Sequence, residues 1–332
     1  MKPPARSLRL ICLAATTVAL ALLAALPSAG AVAPRAHASS SYLTGIGDEQ
    51  TTMFSNPLYQ QLHTKIARYI APYDAAVRGD MLGKAREWIS DAEAQHEQVL
   101  IAFYHSEHTP TKMPSVATYQ KDVAAFVKEF PNVRQYQSWD ESNRGNIPHV
   151  LSSPSAAGAA KYYQALVRVC KGCTAIGLDV LDAANITPTL RYISEFKRQV
   201  RRLHTAMPKI WGLHNYSDVN RLESWRTREL IKAFGGQVWL TETGGIVQFG
   251  PNFKNKHGSG LTRAAKVLKY MFSLAAAHSQ IKRLYIYDWS GGVASTRFDA
   301  GLTNAKDQPR AGYVIVCRQL HGSACSVKTA SN

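Results

Sequence analysis

Acidic side chains are the scarce class in this 332-residue chain: 23 Asp and Glu stand against 39 Lys and Arg, a formal net charge of +16. A positive surface holds a protein near anionic polymers, whether wall polysaccharide, acidic glycan or nucleic acid, through a salt-sensitive field. Charge alone therefore names no substrate. The basic stretch Lys197, Arg198, Arg201, Arg202 has no interleaved aromatics and no nucleic-acid module around it, so it reads as a solvated helix face and no nucleic-acid partner is expected. The sequence also lacks a Gly-rich phosphate loop, a Ser elbow and an HExxH helix, which removes three common enzyme classes. Internal repeats and heptads are absent too.

Long apolar runs are almost absent: one stretch, Leu10 to Leu26, follows Lys2, Arg6 and Arg9 and precedes A-x-A sites ending at Ala31 or Ala38. This pattern is a secretory signal peptide, with retention as a membrane anchor the alternative. The expected organisation is a signal and leader over residues 1–38, one domain over 42–320 and a tail over 321–332. The mature protein is then extracellular and monomeric, with no membrane contact after cleavage. Of only five cysteines, Cys12 leaves with the signal. The other four, Cys170, Cys173, Cys317 and Cys325, suit two disulfides in a secreted protein, and short separations favour Cys170 with Cys173 and Cys317 with Cys325 among three connectivities.

Within residues 42–320, apolar runs alternate with amphipathic stretches, the pattern of a parallel sheet with crossover helices. Eight strands are expected: Leu43 to Gly47, Arg68 to Pro72, Gln98 to Tyr104, Val133 to Trp139, Thr174 to Leu178, Ile210 to Asn215, Gln237 to Thr241 and Lys282 to Tyr287. Between them, Met81, Ala85, Trp88, Ile89 and Ala92 share one helix face, as do Val116, Tyr119, Val123, Phe126, Val127 and Phe130. Ser115, Ser153 and Thr262 are candidate N-caps. Eight such pairs make a single-domain (β/α)8 TIM barrel. Ile246 to Leu261, after the seventh strand, reads as a long loop at the edge of a cleft.

In a parallel barrel all strand C-termini open onto one face, so polar residues there converge. His105 follows the third strand, Asp140 and Glu141 the fourth and Asp179 the fifth. His214 and Tyr216 flank the sixth strand's end, Glu242 follows the seventh, and Asp288 and Trp289 the eighth. Glu141 and Glu242 are about a hundred residues apart, three strand-helix repeats of about 30 to 35 residues each. Two carboxylates at the ends of two non-adjacent strands are what glycosidic cleavage requires. His105 with His108 could suggest a metal, but two histidines on a loop are common without one, and neither metal nor cofactor is expected.

The stretches WDESN, HNY, TETGG and YDW at the ends of the fourth, sixth, seventh and eighth strands resemble clan A of the glycoside hydrolases, the retaining (β/α)8 enzymes, in the neighbourhood of the β-xylosidase and α-L-iduronidase family. The resemblance runs from about Tyr42 to Leu320 and rests on short motifs. It implies Glu141 as acid/base, Glu242 as nucleophile, and His105, Asp140, His214, Tyr216 and Trp289 as sugar-contacting positions, with Trp289 as a stacking platform. The implied substrate is a β-linked oligo- or polysaccharide. Two departures stand out: Asp140 occupies a position where the clan usually has Asn, and Ser142 one where Pro is common. An ionised Asp140 only accepts hydrogen bonds, and its charge is expected to push the Glu141 pKa upward. A non-catalytic sugar-binding barrel, a polyanion-binding surface protein and a different carboxylate-dependent lyase or hydrolase remain the alternatives.

Overall fold

The computed structural model describes residues 42–250, 260–293 and 296–327; the expected signal peptide and leader, and the end of the tail, lie outside them. The strands are β1 Leu43–Gly47, β2 Ile66–Pro72, β3 Gln98–Tyr104, β4 Gln135–Gln137, β5 Thr174–Ile176, β6 Asp179–Leu181, β7 Ile210–His214, β8 Gln237–Thr243, β9 Gln248–Phe249, β10 Ile281–Tyr287 and β11 Phe298–Asp299. The helices are α1 Thr52–Ser55, α2 Pro57–Leu62, α3 Gly79–Ala94, α4 Val116–Glu129, α5 Ala156–Val169, α6 Thr187–Arg202, α7 Tyr216–Val219, α8 Trp225–Phe234, α9 Gly260–Ala277 and α10 Ala311–His321.

Nine strands form one parallel sheet in the order β5-β4-β3-β2-β1-β10-β8-β7-β6. Its two ends are consecutive in the chain. β5 pairs with β4 through Gln137 and Ile176, whereas β6, reached through Gly177 and Leu178, pairs with β7 through Asp179 and Gly212. The Gly212 N–H donates to the Leu178 carbonyl at 2.9 Å, so the sheet closes on itself. The nine pieces are the eight strands of a (β/α)8 barrel whose fifth strand changes partner midway. The expected fourth strand is shorter than its apolar run, because beyond Gln137 the chain leaves the ladder and Asp140 N–H bonds to the Phe103 carbonyl instead, at 2.8 Å.

Side-chain alternation fills the barrel in layers. Ile66, Leu100, Ile176, Trp239 and Tyr285 form a small apolar cluster of their own, and two residues further along three of these strands stand Arg68, Ala102 and Thr241, all buried. The floor is apolar, whereas the storey above it carries Arg68 and Thr241, which prepares the mouth for charge. The larger core lies between the sheet and the helices and includes Trp88, Ile89, Tyr119, Val123 and Phe126, the faces anticipated for α3 and α4.

Ser115 caps α4 by accepting from Thr118 N–H at 3.1 Å. Two cap expectations are corrected: Ser155, not Ser153, caps α5, accepting from Gly158 N–H at 3.1 Å, and Thr262 falls inside the first turn of α9. Cys170 with Cys173 and Cys317 with Cys325 form the two disulfides, with Cα separations of 5.5 and 5.7 Å. The expected long loop after the seventh strand contains β9, which pairs antiparallel with β11 through Phe249 and Phe298; residues 251–259 lie outside the described residues. Among the described residues, no helix is long and apolar enough to cross a membrane.

Gly212 illustrates how tightly the polar layer is built. A Cβ there would overlap the Asp179 carboxylate and the Thr241 hydroxyl. Gly212→Ala is therefore expected to lower stability by about 1–3 kcal/mol, read as a lower urea midpoint with an unchanged far-UV CD spectrum.

Candidate active site

The fourth strand delivers its acid in an unusual backbone state. Glu141 has φ +42°, the left-handed region that non-glycine residues rarely occupy and that clusters at functional sites. The surrounding bonds fix it there: Glu141 N–H donates to Asp179 Oδ2 at 3.2 Å, and Ser142 N–H to the Asp179 carbonyl at 3.0 Å. One residue on, the Asn143 amide donates to the Leu181 carbonyl and to Thr189 Oγ1. The turn after β4 is thus tied to β6 and α6, and the Glu141 side chain is carried to the barrel axis.

The seventh barrel strand aims its acid by a different device. Gly212 pairs with Trp239 and His214 with Glu242, so two steps along β7 correspond to three along β8. This extra residue is a bulge, which turns a side chain that simple alternation would point elsewhere. Thr241 therefore reaches Asp179 while its neighbour Glu242 reaches the same axis: Arg68 Nη1 donates to Glu242 Oε1 at 2.8 Å and the Tyr216 hydroxyl to Glu242 Oε2 at 3.3 Å.

His214 joins the acids. Its Nδ1 lies 3.1 Å from Glu141 Oε1 and 3.4 Å from Glu242 Oε2. Because both oxygens contact one atom, they are separated by no more than the sum of those distances, about 6.5 Å, an upper limit that includes the roughly 5 to 5.5 Å of retaining enzymes. On the other ring edge, Nε2 lies 2.9 Å from Asp179 Oδ2 and 3.7 Å from Asp140 Oδ1. The Asp179 contact is close but lacks hydrogen-bond alignment, so it acts mainly through charge. Arg68, fully buried, spans Asp140 and Glu242 with its two terminal nitrogens.

Burial opposes ionisation throughout this cluster, and local partners decide which groups resist it. Burial would lower the His214 pKa, but the charges of Asp179 and Glu242, the close Asp179 contact and the bond to Glu141 raise it well above the usual imidazole value. Burial would likewise raise Glu141, yet His214 and Arg144, whose Nη1 donates to Glu141 Oε2 at 2.5 Å, hold it below the usual carboxylate range. Asp179 is lowered because the charge and contact of His214, then Arg68, outweigh burial. Asp140 is pushed up to about 8, mainly by burial, against the pull of Arg68. Glu49, whose carboxylate accepts from the Tyr287 hydroxyl at 3.0 Å, also rises to about 8 through burial and the neighbouring Asp48 and Glu242 charges. Glu97, bonded by Thr64 and Tyr59, rises to about 7 through burial.

These shifts set a pH dependence of stability. For Asp140, Glu49, Glu97 and His214 the folded pKa exceeds the unfolded one, so their contribution is complete below the unfolded value and is lost as pH rises through the folded value. Glu141 and Asp179 act oppositely and lose stability only as pH falls below the ordinary carboxylate range. Stability is therefore expected to peak near pH 4.5 to 5 and to decline toward pH 8, measured as urea midpoints across that range. Glu97→Gln should flatten the decline; an unfolding midpoint that climbs from pH 5 to 8 would contradict the assignment.

The structure brings together Asp140, Glu141, His214, Tyr216 and Glu242. His105 stands at the mouth, half-buried, with its ring against Tyr104 at 4.2 Å between centroids, and makes no bond to the paired acids. Two expectations are corrected. Trp289 is no stacking platform: it is 1% exposed and packs edge-on against Tyr59 and Tyr313, because after β10 its ring turns into the helix layer. The aromatic wall beside Glu242 consists of Tyr216, Phe298 and Tyr287, with Phe298 centred 5.7 Å from Tyr216 and 6.2 Å from Tyr287. Nor is Glu141 raised: His214 and Arg144 outweigh burial and the Asp179 charge, while Asp140 is buried on Arg68.

Sequence reasoning missed Arg68, Arg144 and Glu49 as site residues. Arg68 carried a usable signal, a lone cation inside the apolar run IARYIAP, which must be paired if that run is a buried strand. The ligand atoms of Asp140, His214 and Glu242 lie within 4.8 Å of one another, a donor set of metal type. Arg68 already bridges the two carboxylates, and its charge opposes a cation there.

No protein-family model matches the chain, and no curated protein matches it in sequence. Solved structures match its fold. A fungal β-1,4-galactanase superposes with a TM-score of 0.64 at 9% identity, over 84% of this chain and 100% of its own. The native xylanase 10B of Thermotoga maritima gives 0.58 at 12%, over 84% and 95%. A family 39 glycoside hydrolase of Bacteroides cellulosilyticus gives 0.53 at 15%, over 85% and 64%. At such identities the likeness is one of fold.

Proposed function

We propose that this barrel is a secreted glycoside hydrolase that cleaves a β-linked glycan by double displacement, with Glu141 as acid/base and Glu242 as nucleophile. The observation that carries the reading is the approach of both carboxylates to the single nitrogen His214 Nδ1 at 3.1 and 3.4 Å. Acids on the ends of two strands converge there at the open end of the barrel, in the arrangement that acid/base and nucleophilic catalysis on one sugar demands. The fold shared with a galactanase and xylanases supports the class. The N-terminal apolar run and two disulfides support secretion.

In this reading Arg68 and Tyr216 fix the Glu242 carboxylate so that its oxygen meets the anomeric carbon. Glu141 gives a proton to the departing oxygen, then takes one from the water that releases the sugar. His214 holds both acids at their spacing, and Asp179 holds His214. The site is built as a rigid network because a displacement of about 1 Å costs about a hundredfold in rate.

The test is a panel of β-linked oligosaccharides, with the first product followed by proton NMR. Retention of the anomeric configuration is the expected result. Inversion would remove Glu242 from the nucleophile's role, and absence of cleavage across the panel would favour a sugar-binding barrel without turnover.

A further inference from the structure

Glu141 has a partner that does not suit a proton donor. Arg144 lies three residues on and bonds to Glu141 Oε2, yet its side chain is 40% exposed while that of Glu141 is 9% exposed. The guanidinium thus covers the acid from the solvent side. Its loop is held in place: Ser153 N–H donates to Asn146 Oδ1 at 2.8 Å and the Ser153 hydroxyl to the Gly145 carbonyl at 3.0 Å. The groups that face Glu141 are Arg144 and Asp140 from its own segment, Tyr104 from β3, Asp179 from β6, His214 from β7, Tyr216 from α7 and Glu242 from β8. Of the two cations in contact with Glu141, His214 is buried and Arg144 alone is exposed to solvent.

A cation bonded to a carboxylate favours its ionised form, whereas leaving-group protonation needs the neutral acid. An arginine with a solvent-facing edge is also the side chain best shaped to take a carboxylate or sulfate. Resting on the glycosidase reading, we infer that Arg144 is a specificity-determining residue that binds an anionic substituent on the leaving-group side of the substrate, and that this binding draws it off Glu141. With one of its two cations withdrawn, Glu141 takes a proton from solvent more readily and can donate it. Neutral glycans leave the guanidinium on Glu141 and are cleaved more slowly. The strongly basic chain, +16 overall, would raise the local concentration of such substrates.

The test uses a β-glycan oligosaccharide bearing glucuronate, the same material with its carboxyls reduced to alcohols, and a sulfated counterpart, all at about 0.15 M salt to screen the general field. Wild type is expected to prefer the acidic member over the reduced one by about tenfold or more in kcat/KM, the scale of a hydrogen bond to a charged group. Arg144→Gln should abolish that preference and move the alkaline limb of the rate profile on the reduced substrate upward, because Glu141 loses a cation. Arg144→Lys should restore part of the preference, and Arg201→Gln, on the outer helix α6, should retain it. The sulfated arm separates carboxylate from sulfate recognition. An acidic-to-neutral ratio that is the same in wild type and Arg144→Gln overturns the inference while leaving the glycosidase intact. If nothing is cleaved, the glycosidase reading fails; calorimetry of the acidic oligosaccharide then decides the anion site, supported by binding lost in Arg144→Gln and overturned by equal binding.

Discussion

On the glycosidase reading, Glu242→Gln is expected to lower turnover of a cleaved glycan by on the order of 10^4-fold or more, the scale seen when a covalent catalyst's reacting group is removed. The substitution keeps the side chain's volume, so the loss reports chemistry rather than packing. The amide cannot attack the anomeric carbon, and it offers one acceptor oxygen where the carboxylate served Arg68, Tyr216 and His214 together. Small-anion rescue identifies the role. With an activated aryl β-glycoside, azide added to Glu242→Gly occupies the vacated side of the ring and gives the α-glycosyl azide. Azide added to Glu141→Gly intercepts the glycosyl-enzyme and gives the β-product. Undiminished turnover in Glu242→Gln, or the same azide anomer from both variants, would place the nucleophile on another residue.

How far the site could be read in advance follows from which features are local. Strand positions were legible because buried parallel strands leave continuous apolar runs, and β1, β3 and β10 lie within a residue of their anticipated bounds. The ends of those runs located Asp140, Glu141, His214, Tyr216 and Glu242, since a barrel has only one face on which strand ends open. Three things were not local. The bulge that turns Glu242 toward the axis is a mismatch between two strands and has no signature in either one. The partner change at Gly177 and Leu178 depends on how the sheet closes. Whether Trp289 faces the cleft or the helices is settled by its edge-on contacts with Tyr59 and Tyr313, one of them distant in the chain. Arg68 was the one omission with a local clue, and its cost of burial makes it the most informative residue to remove.

Arg68→Met is accordingly expected to destabilise the protein by about 3–5 kcal/mol, the cost of leaving buried carboxylates without their cation. At about 2–4 °C per kcal/mol, the melting temperature should fall by on the order of 10 °C. Methionine fills the volume, so the deficit isolates charge: Asp140 and Glu242 face each other across the same guanidinium, and without it each raises the energy of the other's ionised form. The sign with pH follows. Asp140 already has a folded pKa of about 8; removal of Arg68 lifts it further, so its share of the deficit is smallest below that value, where the protonated carboxyl needs no partner, and grows as pH rises through about 8 and above. Arg68→Met combined with Asp140→Asn should regain part of the loss, because the cation and one anion then leave together. A deficit independent of pH, or one that the second substitution deepens, would mean that Arg68 stabilises the barrel by packing alone. In that case Glu242 would owe its position to Tyr216 and the bulge rather than to the buried ion pair.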